Sequence, residues 1–139
     1  VIVLARVPVS QVIDLRWRVL RAGRPLADAH WPGDDSAQHF VVREQGQGLA
    51  IASVFPTPWP DGQLGPGLQL RGMAVDPDRQ GQGLGARLLR FVRWSCGAPL
   101  WCNARVSASG FYSGQGWRPA SPDFDLPGIG PHRRMVSGQ

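Results

Sequence analysis

The chain has 139 residues, 42% of them hydrophobic, which suffices for one two-layer core and excludes both a second domain and a disordered chain. Its apolar runs fall far short of the ~18–20 residues of a membrane span, no secretory leader is visible, and Cys96 and Cys102 form neither a Cys-x-x-Cys pair nor a disulfide framework, so a reduced, cytoplasmic protein without membrane contact is expected. The formal net charge is +5 with arginine in place of every lysine, but the arginines are dispersed, with no run longer than Arg133-Arg134 and no nucleic-acid-binding motif, so a polyanionic small ligand is the expected partner and nucleic acid is not.

Residues 1–7 are apolar and β-branched and predict a first strand. Ser10 caps a predicted helix over 10–21, whose apolar positions Val12, Ile13, Leu15, Val19 and Leu20 leave Arg16, Arg18 and Arg21 to face solvent or a ligand. A loop rich in Pro, Gly and Asp occupies 24–37. The runs 38–44 and 49–55 flank Gln45-Gly46-Gln47-Gly48, a hairpin signal. Four prolines and three glycines make 56–67 a rigid loop. A fourth strand follows over 67–75, then a helix over 82–96 with Leu84, Leu88, Leu89, Phe91 and Val92 on its apolar stripe and Arg87, Arg90 and Arg93 off it. The remaining elements are a strand over 99–104, a short helix over 107–115, and two strands, one near Trp117 and one over 129–136. There is no internal repeat.

The most informative segment is 68–89, LQLRGMAVDPDRQGQGLGARLL. An apolar strand ends in Val-Asp-Pro, and alternate glycines at 81, 83 and 85 lead directly into a helix. Glycines at this spacing let backbone N–H groups converge without interference from Cβ. The helix adds its own unpaired N–H groups and the positive end of its dipole, so the loop suits a phosphate-rich ligand. It is not a P-loop, because no Gly-Lys-Ser/Thr is present. Gly81-x-Gly83-x-x-Ala86 satisfies the dinucleotide fingerprint formally, but five residues separate Val75 from Gly81 and no carboxylate lies in the next strand, at 100–105. A second segment, LWCNARVSASGFYSGQGW over 100–117, places a strand before Ala108, Phe111-Tyr112 and Gly116-Trp117.

Strand, Asp-Pro, basic residue, Gln-x-x-Gly-x-Gly-Ala and helix, followed one helix and one strand later by the Phe-Tyr segment, resemble the two signatures of the GNAT acetyltransferases. The resemblance covers roughly residues 67–117 and implies a single domain over 1–139. Its fold would be α+β, a central mixed, mostly antiparallel twisted sheet of about six to seven strands flanked by helices. The implied cosubstrate is acetyl-CoA, with no metal, since His30, His39 and His132 are scattered. The resemblance assigns the pyrophosphate to Gln80, Gly81, Gln82, Gly83, Leu84, Gly85 and Ala86, and the pantetheine arm to the backbone of Met73, Ala74 and Val75. The Val75 N–H would polarise the thioester carbonyl. Asn103 would contact pantetheine, or else satisfy a turn at its strand end.

Tyr112 matches the tyrosine that protonates the departing thiolate in many relatives, although a Tyr filling the core is the alternative. Phe111 is expected in the core. The base is the least determined role. The fourth strand offers no Glu, Glu44 stands alone at a hairpin end, and His132 has a suitable intrinsic pKa but equally suits a structural role. Deprotonation through water is a further option. Arg71 and Arg105, on adjacent strands of such a fold, would hold a carboxylate of the acceptor, or else pair with Asp123 or Asp125. Trp31, Trp59 and Trp101 line the acceptor pocket or fill the core. The expected activity is direct ternary-complex transfer of acetyl to a small, carboxylate-bearing amine. A protein or peptide N-acetyltransferase and a non-catalytic acyl-CoA sensor are the competing classes. The 56–67 loop and the 128–132 segment are expected to wall a closed acceptor pocket, and a homodimer is compatible with all of these readings.

Overall fold

Apolar, β-branched runs drive the first half of the chain into an antiparallel meander: β1 (Ile2–Val7), β2 (Gln38–Glu44), β3 (Gln47–Phe55) and β4 (Leu68–Val75). The computed structural model describes residues 1–62 and 65–138, so two positions of the predicted 56–67 loop lie outside the described residues. The β2–β3 hairpin turns on Gln45 and Gly46 alone, at φ 52° and 79°, the pair of positive angles that matches strand twist in a two-residue turn. The second half adds α2 (Leu84–Cys96), β5 (Leu100–Arg105), α3 (Ser109–Gly114), β6 (Arg118–Pro119), β7 (Phe124–Leu126) and β8 (Gly130–Val136).

The strands form one eight-stranded sheet in the order β1-β2-β3-β4-β5-β8-β6, with β7 also paired to β8. Every pairing is antiparallel except β4–β5. The mixed α+β expectation holds, with one strand more than the upper count. The addition is β7, whose three residues are too few to carry a periodic pattern.

Strand alternation divides the apolar residues between two faces. Phe40, Val42, Ala50, Ala52, Val54 and Leu70 pack under Leu84, Leu88, Leu89 and Val92 of α2. Val41, Ile51 and Ala74 turn the other way, toward Val12 and Leu15 of the N-terminal helical segment. Each fully buried leucine of α2 contributes roughly 1.5–3 kcal/mol by leaving water.

That N-terminal segment departs from expectation. It is a 3-10 turn (Val9–Gln11), a short α1 (Ile13–Leu15) and a π turn (Arg16–Leu20). Ser10 lies inside the first turn, and the residue in the cap position there is Pro8, so no side chain caps it. Arg16 does not face solvent or ligand; it is fully buried against the sheet and paired with Asp34. Helical periodicity assigns faces by sequence spacing, and the charge of Arg16 argued for the outside, but a carboxylate from the 24–37 loop meets it inside.

Candidate active site

The functional geometry begins where β4 and β5 part. These parallel strands pair only through Leu68↔Leu100 and Gln69↔Trp101. Beyond that point they diverge, leaving a wedge with Leu70–Met73 on one wall and Cys102–Arg105 on the other. A bulge shapes the β4 wall. Between the pairs Ile51↔Ala74 and Ser53↔Arg71, one residue of β3 opposes Gly72 and Met73 together. Gly72 takes φ 67°, and a Cβ there would stand 2.8 Å from the Trp31 ring, so only glycine fits. Past the bulge, the Asp76 N–H donates to the Leu49 carbonyl at 2.8 Å. The alternation of an antiparallel ladder therefore turns the N–H of Val75 away from β3, toward the open side of the wedge.

From the end of β4 the chain runs through a 3-10 turn, Pro77–Arg79, held by Asp76, whose carboxylate accepts the Asp78 N–H at 3.0 Å. Gly81 and Gly83 follow at φ 79° and 77°, their Cβ positions opening onto empty space. Gly83 is the N-cap of α2 and offers no side chain, and the first intrahelical bond is Arg87 N–H to the Gly83 carbonyl at 3.1 Å. The N–H groups of Leu84, Gly85 and Ala86 are thus left without intrahelical or side-chain partners at the positive end of a 13-residue helix. They border a groove of about 690 Å3 that is also lined by Met73, Ala74, Val75, Gln80, Gly81 and Gly83. Gln82 turns aside, its Oε1 accepting from Arg79 Nε at 3.0 Å. Phe111 is a correction: it is not core but 38% exposed, lining this groove. On its short helix, Tyr112 takes the inward face and leaves its neighbour to the groove.

A second cavity, of about 370 Å3, fills the wedge and brings Arg71, Asn103, Arg105, Tyr112 and His132 together. It meets the glycine-loop groove at Met73, Arg105, Ala108 and Tyr112, which line both. Tyr112 is buried beside Cys102. Burial, and then the neighbouring thiol, push its phenol pKa well above the ordinary value, so it is neutral at any working pH. Burial likewise pushes the Cys102 thiol up to about 12. His132 is buried on β8, its Nδ1 donating to the Gly130 carbonyl at 2.8 Å, which in the neutral ring leaves Nε2 as the basic atom. The Oδ1 of Asn103 is buried with no partner, an acceptor awaiting a donor.

Arg71 and Arg105 make no ion pair among the described residues. Asp123, the partner expected of them in the alternative reading, is held in bidentate fashion by Arg133 at 2.9 and 3.1 Å. Of the three tryptophans considered, Trp31 lines the cavity, whereas Trp101 is core and meets Trp59 edge-on at 5.7 Å. The 128–132 segment contributes Ile129 and His132 to the cavity wall, as expected. The described residues of the 56–67 loop contribute nothing there. Of these, Trp59, Asp61, Gly62 and Gly65–Gly67 border a separate hollow near Pro99 and Ser137, because the loop enters β4 at the end opposite the wedge.

Sequence reasoning missed the buried network behind Trp31. Arg16 Nη1 donates to Asp34 Oδ2 and to the Ala29 carbonyl, both at 2.9 Å, and Nη2 donates to Ser53 Oγ at 3.0 Å. His39 Nε2 donates to the Asp34 carbonyl at 2.9 Å, so its Nδ1, 2.7 Å from Ser53 Oγ, accepts the serine proton. Burial alone would raise the Asp34 carboxyl, but the Arg16 guanidinium and the Trp31 N–H hold it below its ordinary value. The Trp31 ring lies 3.8 Å over Arg16 and caps this network. Its members come from four separate segments, and the one local signal was His39, a titratable residue within an apolar strand.

Among the described residues no three His, Cys, Asp or Glu side chains come together as a metal site would require, and no helix is long and apolar enough to cross a membrane. A family model described as acetyltransferase (GNAT) domain matches residues 35–119. The uncharacterized N-acetyltransferase YitI of Bacillus subtilis is 29% identical over 132 residues, spanning 91% of this chain and 89% of that protein. Among solved structures, Escherichia coli ElaA superposes with a TM-score of 0.79 at 19% identity, covering 99% of this chain and 100% of that one. An aminoglycoside 6'-N-acetyltransferase complexed with coenzyme A gives 0.74 at 10% identity, over 97% and 96% of the two chains. These similarities establish the fold over its whole length.

Proposed function

The chain belongs to the GNAT acetyltransferase family and is an acyl-CoA-dependent N-acetyltransferase, and we propose that it moves an acetyl group from acetyl-CoA directly to the amine of a small acceptor bearing an anionic group. The observation that carries this reading is the meeting of two cavities at Tyr112, one bordered by unpaired backbone N–H groups and the other by arginines. The groove fits a pyrophosphate on the N–H groups of Leu84–Ala86, with open space at Gly81 and Gly83 for close approach. The orphaned Oδ1 of Asn103 suits an amide N–H of the pantetheine arm.

Transfer forms one N–C bond and breaks one C–S bond. The Val75 N–H, turned to the wedge, donates to the thioester oxygen as charge develops on it. His132 Nε2 takes the proton that the amine must lose, and the electron pair departing on sulfur is met by the Tyr112 hydroxyl. An ordinary phenol, pKa ~10, is a weaker acid than a thiol at ~8.5, and burial weakens Tyr112 further. The same dry surroundings disfavour the thiolate, so a neutral hydroxyl held in place serves as the donor. A cavity of about 370 Å3 has room for a small molecule rather than an extended peptide, which favours a small acceptor over a protein tail. A thiol-release screen with acetyl-CoA against amino acids, polyamines and aminoglycosides tests the reading. Anionic amines are expected to lead, and a lead by polyamines or aminoglycosides refutes the anionic acceptor.

A further inference from the structure

The wedge cavity carries more positive charge than one carboxylate requires. Arg21, at the end of the N-terminal π turn, joins Arg71 and Arg105 in its lining, and that lining contains no Asp or Glu. The cavity opens into an outer mouth that shares Leu20, Arg21, Trp31, Arg105 and Ile129. Among the described residues the one carboxylate there, Asp28, is engaged by Arg24 at 2.8 Å. The Arg21 and Arg71 guanidiniums each lie 5.0 Å from the centre of the Trp31 ring. One indole thus contacts both of these cations as well as the buried Arg16, with Phe55 backing Arg71 at 4.8 Å.

Neither cation is neutralised. Among the described residues Arg71 has no hydrogen-bond acceptor, and Arg21 spends one N–H on the carbonyl of Leu20 at 2.8 Å. Burial and the like charges of Arg16 and Arg21 lower the Arg71 pKa, with Asp34 opposing them. Asp34 is already committed to Arg16, so it does not quench Arg71. A half-buried guanidinium pressed against others without an anion is costly to maintain unless a ligand supplies the missing charge.

We propose that the acceptor is an amine carrying two negative charges, one held by Arg71 inside the wedge and the other by Arg21 across Trp31, with Arg105 at the shared mouth. The chemical class is a dicarboxylic amino acid or an amine bearing a phosphate monoester. Arg21 is then a specificity residue, which the pairing of Arg71 with Arg105 alone did not require. This rests on the acetyl-transfer reading of the same cleft, so binding is measured separately from turnover.

The experiment is calorimetry of the full chain, saturated with coenzyme A, with L-glutamate, L-glutamine, O-phospho-L-serine and L-serine as probes, alongside thiol release from acetyl-CoA. Glutamate over glutamine, or phosphoserine over serine, is expected to bind about tenfold tighter or more, the scale of one charge-assisted bidentate contact. Which pair shows the larger gap tells carboxylate from phosphate. Arg21→Met and Arg71→Met should each collapse that gap while leaving coenzyme A affinity unchanged, which also reports that the variant is folded. Equal binding within both pairs overturns the proposal, and so does a gap that survives Arg21→Met. A preserved gap with no thiol release from any probe supports the dianion site and counts against the transfer reading alone.

Discussion

The two walls of the wedge are built on different principles. The proposed cofactor side is backbone: Val75, Gly81 and Gly83–Ala86 lie within a dozen residues of one another and offer N–H groups and open space. The proposed acceptor side is side chains. Arg21, Trp31, Arg71, Arg105 and His132 come from five places, and Trp31 among them is fixed by a buried network that itself spans four. A site made of local backbone leaves a contiguous signature in the sequence, whereas a site assembled from distant side chains leaves almost none.

The sharpest probe is the residue on the boundary. Tyr112→Phe should lower kcat by about 10²–10⁴-fold, the usual range for a general acid–base group, with acetyl-CoA affinity unchanged. Pre-steady-state thiol release reads this without interference from product release. An unchanged rate would move the chemistry off Tyr112.

Next in size is the network under the acceptor wall. Asp34→Asn leaves the fully buried Arg16 without its counter-charge and should cost about 3–5 kcal/mol in urea unfolding. The same pair sets a pH dependence. The Asp34 pKa is depressed in the folded state, so its contribution is present above the ordinary carboxyl value of 3.8 and is lost as pH falls through the lower folded value. Wild-type unfolding midpoints should therefore drop below about pH 4 more steeply than those of Asp34→Asn. Parallel profiles would show that the pair carries no such linkage.

On the cofactor wall, Gly83→Asp forces a side chain into φ 77° and sets a carboxylate beside the anion site. Acetyl-CoA affinity by calorimetry should fall by about tenfold or more, with the fold retained, since each αL placement costs only about 1–2 kcal/mol. Wild-type affinity would dissociate the loop from phosphate binding. An effect of similar size is expected at Gly72. There alanine meets Trp31 at 2.8 Å on a strained backbone, for a loss of about 1–3 kcal/mol in stability. Because Trp31 is displaced and the glycine loop is not, acceptor KM should rise while acetyl-CoA affinity holds. Equal losses on both would erase the distinction between the walls.

These differences explain what the sequence disclosed. The meander was legible because two apolar runs, 38–44 and 49–55, flank a Gln-Gly-Gln-Gly hairpin signal, and α2 because its leucines recur at helical spacing. The glycine loop and Phe111-Tyr112 were legible because each is one short string. Phe111 itself was misassigned, since two adjacent aromatics on a short helix cannot both face inward. Arg16 was misassigned because the partner that draws it inside, Asp34, lies 18 positions away in an irregular loop. Gly72 gave no signal because its requirement comes from Trp31, 41 residues earlier by position. The 56–67 loop was given the wrong cavity because composition reports stiffness and says nothing of which end of a strand it joins.

The two-residue seam between β4 and β5 has a thermodynamic consequence. Among the described residues it is the only ladder joining the meander of β1–β4 to the β5–β8 half, and the rest of that junction is left without strand hydrogen bonds. A ligand lying in the wedge contacts both halves and stands in for the missing rungs, so it binds the assembled sheet and not the unfolded chain. Such a ligand raises the unfolding free energy by about 2.7 kcal/mol at a concentration 100 times its Kd. For a domain of this size that is a shift of several degrees in Tm. The melting temperature of this protein is therefore a direct reporter of occupancy, able to rank candidate acceptors and acyl donors before any turnover is seen.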